Sequence, residues 1–414
     1  MNRLFPVAVG CLAATMLIGL ITALATVLET PPVDFRILNS SHTLLALGFV
    51  IAGALGAAQV AVGRPPPRLQ VVLFLIGIAA PLLATAAGGF SGREYLSWPP
   101  LVSAPLFAAI AWASVNVLIG LARLGRAHPE SAWVVGIGAL VLPLGFAEAH
   151  LYLVPAIGLD IGKDMAVQWQ GIDTMIGGWN AMLYGVAAML IAPAGKLSRA
   201  FRNLLFLVAA TGLLLTFSHH HYPSPQATWL KHVAFLTSLL AAVAFLHHFR
   251  AWRRAAPADT RLTVLLGIAE RWTIFAVGTG FLMALPPLNV LVHGTYAVVG
   301  HAMGSMIGVN AILIFAIARG QGDAPEAAAD PAFRRWSRLF DWSLAGFVAV
   351  LVAAGLVEGV LRTDGGYWAY IGAVRSVMSL LPVFGLALAG LVGWIAIDCL
   401  RPGSGARAAG PARP

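Results

Sequence analysis

The segment HGTYAVVGHAMG, His293 to Gly304, sets two imidazoles and a thioether at the mouth of an apolar run, in a chain with 11 histidines. An imidazole buried in a bilayer is costly unless it has a partner. Imidazole nitrogen and thioether sulfur are both ligands for transition metals. Residues two apart on an α-helix point about 200° apart, so His301 and Met303 offer ligands to opposite sides of one helix. A methionine alone is usually a core filler; next to a buried histidine, Met303 becomes a candidate ligand.

Other ligand types gather elsewhere. His219, His220 and His221 are consecutive and precede Tyr-Pro-Ser-Pro, then Trp229. Neighbouring helical residues differ by about 100°, so two of the three imidazoles can converge on one metal only where the helix unwinds. The plain alternative is a histidine cluster at the membrane surface. His42 follows Asn39-Ser40-Ser41, a run that reads as a helix N-cap; it is either a ligand or an interfacial ring. Asp173 lies a little over two turns into an apolar segment, as a ligand or as a buried acid with a donor. Glu148 and His150 stand two apart at the end of another.

The elements that position these groups are membrane spans. The chain has 414 residues, 59% hydrophobic and 10% charged, where soluble proteins carry roughly 25% charged residues. Twelve apolar stretches are long enough to cross about 30 Å of hydrocarbon: 5–28, 42–63, 69–89, 102–124, 132–155, 165–194, 202–222, 228–249, 262–285, 290–318, 338–361 and 376–399. The first is too long for a cleaved leader. The sequence therefore predicts an all-α integral membrane protein, one twelve-helix domain over 1–400, and a disordered Gly/Ala/Pro/Arg tail over 401–414.

Of the 26 lysines and arginines, nineteen fall on the side of the first residue and six on the other. Arg271 lies within a span. That bias puts both termini in the cytoplasm and explains the net charge of +9 without nucleic acid. Eight histidines then share one depth, the outer half of the membrane. His128, His247 and His248 lie on the inner side beside arginines. Imidazoles from separate helices at one depth are what a bundle uses to build metal or haem sites. The two cysteines, Cys11 and Cys399, form no CxxC and no CxxCH, so any haem is held by coordination alone.

On these residues the chain resembles the catalytic subunit of the haem-copper oxidase superfamily, and within it the nitric-oxide reductase branch. HTLL from His42 is similar to the family's helix 2 motif, whose histidine binds the low-spin haem. HHY at 220–222 resembles the paired metal ligands at the end of helix 7. LPPLNVLVHGT at 285–295 is similar to the reductases' helix 9–10 connection, after which their second motif, His-Gly-His, here reads His301-Ala302-Met303. The resemblance implies two b-type haems, with His301 on the high-spin haem and Met303 opposite His42 on the low-spin one. His293 is left as a supporting residue in the turn, near a haem propionate. A non-haem metal would sit on two of His219, His220 and His221.

Three departures qualify this. Aligned on Trp179, the reductases' helix 6 pattern His-x-x-x-Glu-Gly-x-Trp-Glu finds Ile172 at the histidine, and Ile176 and Asn180 at the glutamates. Asp173 is the nearest oxygen ligand; a His/His/Asp set suits iron better than copper. A helix 8 acid falls at Leu240, and His150 is either part of a substitute proton path or the missing ligand. No helix 6 pattern matches the oxygen-reducing branch's cross-linked tyrosine. The resemblance thus implies a bacterial inner-membrane reductase converting nitric oxide to nitrous oxide. Its electrons would come from a separate cytochrome c, a cupredoxin or quinol. The alternatives are an oxygen-reducing oxidase, a non-catalytic haem gas sensor, or a twelve-span transporter.

Overall fold

The computed structural model describes residues 2–28, 33–124, 131–191, 259–320, 328–364 and 367–400, with scattered positions between 227 and 250. His219, His220, His221, His128, His247, His248, Leu240, the expected span 202–222 and the tail lie outside them. Of the expected span 228–249, only scattered positions are described.

The described residues form long helices: α1 Leu4–Val27, α2 Phe35–Ala61, α3 Arg68–Ala86, α4 Ala104–Leu124, α5 Ser131–Glu148, a single turn α6 Pro155–Gly158, and α7 Ile161–Ile191. Further along the chain come α8 Arg261–Met283, short α9 Pro286–Val292, α10 Tyr296–Met303, α11 Ile312–Gly320, α12 Pro331–Asp364, α13 Tyr367–Met378 and α14 Leu381–Leu400. Among the described residues nine helical segments are long and apolar enough to cross a bilayer. The protein is an all-helical membrane bundle.

Boundaries moved where a cap outside the apolar run decided them. α2 begins at Phe35, not at the Asn39-Ser40-Ser41 run, because the Asp34 carboxylate accepts from the Arg36 N–H at 2.8 Å and holds the Arg36 guanidinium. His42 therefore sits about two turns inside α2 rather than at its mouth. The expected span 290–318 is broken: His293 caps α9, and Gly294 turns the chain with φ +69°. Thr295 then caps α10 by accepting from the Ala297 N–H. At Gly304 the helix changes to π-type hydrogen bonding through Ala311 before α11 resumes. Such insertions occur mostly as single turns and often at functional sites.

Close packing locks these helices. α5 and α7 meet through glycines seven apart: Gly138 and Gly145 on one, Gly171, Gly178 and Gly185 on the other. A Cβ on Gly138 would lie 2.5 Å from the Gly178 carbonyl oxygen. Small residues allow this approach where lipid supplies no hydrophobic drive between helices. At one end of the bundle, Arg261 pairs with Asp330 at 2.7 Å and with Asp398, and Arg319 reaches Asp398 at 3.1 Å. These bonds bring the starts of α8 and α12 and the ends of α11 and α14 to one side, as alternating spans require. At the opposite end, the Glu358 carboxylate accepts from the Tyr296 N–H at 3.2 Å and pairs with Arg362 at 2.8 Å. Arg362 also donates to the carbonyls of His293 and Gly294, so α12 clamps the turn that leads into α10.

Candidate functional site

Histidine can ligate a metal only through the ring nitrogen that carries no proton. The His42 Nδ1 lies 3.0 Å from the Thr15 carbonyl oxygen. A carbonyl only accepts, so Nδ1 holds the hydrogen and the lone pair lies on Nε2. The ring rests on α1, where a Cβ on Gly19 would lie 2.8 Å from His42 Cε1. Gly19 thus leaves room for the imidazole.

His301 repeats the arrangement on another helix. Its Nδ1 lies 2.8 Å from the Thr279 hydroxyl, which in turn donates to the Phe275 carbonyl at 2.8 Å. With its proton directed at Phe275, the hydroxyl accepts from Nδ1–H and again leaves the lone pair on Nε2. The ring lies along α8 at Gly280, whose Cβ would stand 3.3 Å from His301 Cε1. Metal-bound histidines characteristically donate their second N–H in this way, which fixes tautomer and ring orientation.

Met303 faces the other way. It packs against an apolar cluster of Ala23 from α1, Val350, Leu351 and Ala354 from α12, Val374 and Met378 from α13, and Leu381 from α14. One helix therefore sends an imidazole toward α8 and sets a thioether against a cluster drawn from α1, α12, α13 and α14. Ala23 is one turn from Gly19 on α1, so His42 and the cluster around Met303 approach neighbouring turns of that helix. Gly304 and Gly308 seat the π-helical segment against Phe275 and Trp272 of α8. Gly355 does the same for α12 against Ala297. His301 and Met303 are thus held from both sides.

The remaining candidates are more scattered. His293 meets Trp169 of α7 edge-on, ring centroids 6.0 Å apart; it lies in the capping turn, outside the span. His150 bonds its own helix through Nδ1 to the Phe146 carbonyl at 2.8 Å and stacks between Phe146 and Tyr152. Arg93 covers the Tyr152 ring at 3.9 Å and pairs with Asp164 and Gln168 of α7. Ile172 is buried. Glu148 accepts from the Thr174 hydroxyl at 3.3 Å, so it stands beside the turn of α7 that carries Asp173. Among the described residues no three His, Cys, Asp or Glu side chains form a metal set; the triplet lies outside them.

Sequence reading missed three groups. Tyr95, in the α3–α4 connection, adopts φ +63°, a left-handed conformation that costs a bulky residue energy. Burial first, then the nearby carboxylates of Glu94 and Asp173, push its hydroxyl upward. The loop is drawn down by Arg93 and by a Ser97–Ser40 bond of 2.7 Å, contacts distant in sequence. Glu94 is pushed up by burial. Thr279 is one of three threonines on α8, beside Thr263 and Thr273, so no local pattern set it apart. Thr279→Val should keep the fold but remove the hydrogen bond at His301 Nδ1. Losses of such partners typically cost about 10–100-fold in metal affinity or activity, measurable as haem occupancy and turnover; an unchanged variant would show that Thr279 orients nothing.

The family whose description reads Cytochrome C and Quinol oxidase polypeptide I matches residues 2–319. A nitric oxide reductase subunit of Stutzerimonas stutzeri is 24% identical over 397 aligned residues, covering 83% of this chain and 80% of its own. A heme-copper terminal oxidase dimer solved by cryo-EM superposes with a TM-score of 0.70 at 15% identity, over 97% of this chain and 85% of that one. At such identity the likeness is one of fold.

Proposed function

The chain belongs to the cytochrome c and quinol oxidase polypeptide I family, and on that premise we propose that it reduces nitric oxide to nitrous oxide. Membership makes it a multi-pass membrane oxidoreductase of the haem-copper type, a family that holds haems and a binuclear metal centre. The finer reading rests chiefly on one observation. Two imidazoles on separate helices have Nδ1 committed to an oxygen acceptor, and Met303 lies two residues from one of them on the opposite side. These residues fit the groups the family holds.

In this reading, His301 would hold the active-site haem through Nε2, with Thr279 keeping its ring from rotating. His42 would hold the low-spin haem through Nε2, and the Met303 thioether would be that haem's second protein ligand. Gly19 and Gly280 leave the rings space. Two of His219, His220 and His221, with Asp173 as third ligand, would hold the non-haem metal, for which an oxygen donor favours iron. When bound, the metals supply electrons and Lewis acidity for joining two NO molecules with two electrons and two protons to give N2O and water. His293 supports the turn from outside. The relative named as a nitric oxide reductase supports NO as the substrate.

A thioether ligand raises haem potential relative to imidazole, which fits a donor of fairly high potential such as an outer-side cytochrome c or cupredoxin, with quinol the alternative. The basic end of the bundle, where Arg261 and Arg319 meet Asp398, faces the cytoplasm of a bacterial inner membrane. NO and O2 consumption by one reduced preparation, measured side by side, test the substrate. The expected result is NO loss with matching N2O. Oxygen uptake without NO turnover would make the protein an oxidase, and neither activity in a haem-loaded preparation would make it a sensor.

A further inference from the structure

We propose that the groove between α8 and α12 at the basic end of the bundle binds the phosphate of an anionic phospholipid. The groove has a volume of about 270 Å³. Thr263, Gly267 and Arg271 line it from α8 at four-residue spacing, one stripe of that helix; Arg334, Ser337 and Arg338 line it from α12. At one end Arg271 pairs with Asp341, which also accepts from the Trp272 indole at 3.1 Å. Its other end is bordered by Asp259, which pairs with Arg334 at 3.0 Å.

Three arginines against two carboxylates leave the groove positive, and the groups fit a phosphate. The Arg271 guanidinium folds back over Gly267, where a Cβ would lie 3.5 Å from its Nη1. Arg338 is exposed and forms no ion pair with the described residues. The Ser337 hydroxyl is a second kind of signal. Ser337 is 3% exposed, lines the groove, and its oxygen has no hydrogen-bond partner among the described residues. A buried hydroxyl is normally satisfied, and this one, in the wall of the groove, has its donor uncommitted. Planar guanidinium groups bind phosphate oxygens with paired N–H donors.

The surroundings decide between possible occupants. A proton route into the membrane is disfavoured, because fixed arginine charges raise the barrier to cations. Free phosphate and a lipid headgroup offer the same oxygens, but the rim is apolar. Ile274 lies beyond Arg271 on α8, and Leu339 and Trp342 flank Arg338 on α12, all exposed, Trp342 by 75%. Acyl chains would cover these residues, while free phosphate would not. Basic pockets between membrane helices on the cytoplasmic side take acidic headgroups for this reason. The occupied groove would also brace α8 and α12, the two helices that hold α10.

The test uses the full-length protein in phosphatidylcholine nanodiscs containing a minor fraction of phosphatidylglycerol, with bound lipid counted by native mass spectrometry. The expected result is one phosphatidylglycerol retained in preference to phosphatidylcholine. Arg338→Ala should weaken that retention about fivefold, the factor for one arginine near a lipid phosphate. Arg338→Lys should keep most of it, and Arg335→Ala, whose residue does not line the groove, should leave it unchanged. Excess inorganic phosphate should not displace the lipid. Equal retention of phosphatidylcholine, an Arg338→Ala protein that binds as the parent does, or displacement by inorganic phosphate would each overturn the proposal. An unchanged haem spectrum confirms that the variants are folded, and none of these results depends on which gas is reduced.

Discussion

His301→Ala should abolish gas reduction and remove the high-spin haem signal while leaving the low-spin one. The reason is geometric. His301 is the imidazole of α10 that lies along α8, its ring fixed by Thr279 at Nδ1 and set against Gly280. Neither neighbour offers a second nitrogen, and Met303 faces the opposite side of the helix. The fold should survive, because Thr279 still donates to the Phe275 carbonyl at 2.8 Å. The glycine contacts of Gly304 and Gly308 with α8 are also untouched. Haem content per chain and optical spectra of the purified variant check this. Retention of both haems, or of turnover, would remove His301 from the site.

The second large effect is expected at Met303. Met303→His should keep a low-spin haem and lower its midpoint potential, because imidazole is a stronger donor to ferric iron than a thioether. The size should be on the order of 0.1 V, a modest part of the range that axial ligands span. Met303→Leu separates ligation from packing. Leucine has nearly the same volume, and such swaps in a core usually cost less than about 1.5 kcal/mol. If Met303 only fills the cluster around Ala23, Leu351 and Met378, the leucine variant leaves spectrum and potential alone. If its sulfur is a ligand, the low-spin signal is lost and the protein stays folded. An unaltered spectrum in both variants would return Met303 to the core.

The sequence carried the main outline because its strongest signals are long. Apolar runs of about twenty residues announce spans whatever surrounds them, and a separation of two residues places His301 and Met303 on opposite sides before any contact is known. It failed where the deciding group lay outside the local pattern. Asn39-Ser40-Ser41 and Asp34 are equally good cap types; the ion pair with Arg36 settled the start of α2 at Phe35. An apolar run does not show a π insertion, since leucines and glycines read alike at either pitch, so the switch at Gly304 was hidden. Tyr95 and Arg93 reach α7 from a loop some seventy residues earlier in the chain, and no spacing rule joins them. The triplet His219-His220-His221 was the sharpest local signal, yet it lies outside the described residues.

The central claim is that α10 lies between two haems. The direct measurement is a reduced-minus-oxidised spectrum of the purified full-length protein, followed by a redox titration of each component. The predicted result is two haems per chain, one low-spin and of the higher potential, one high-spin and able to bind carbon monoxide or NO. A preparation without haem, or with a single haem species, would contradict it.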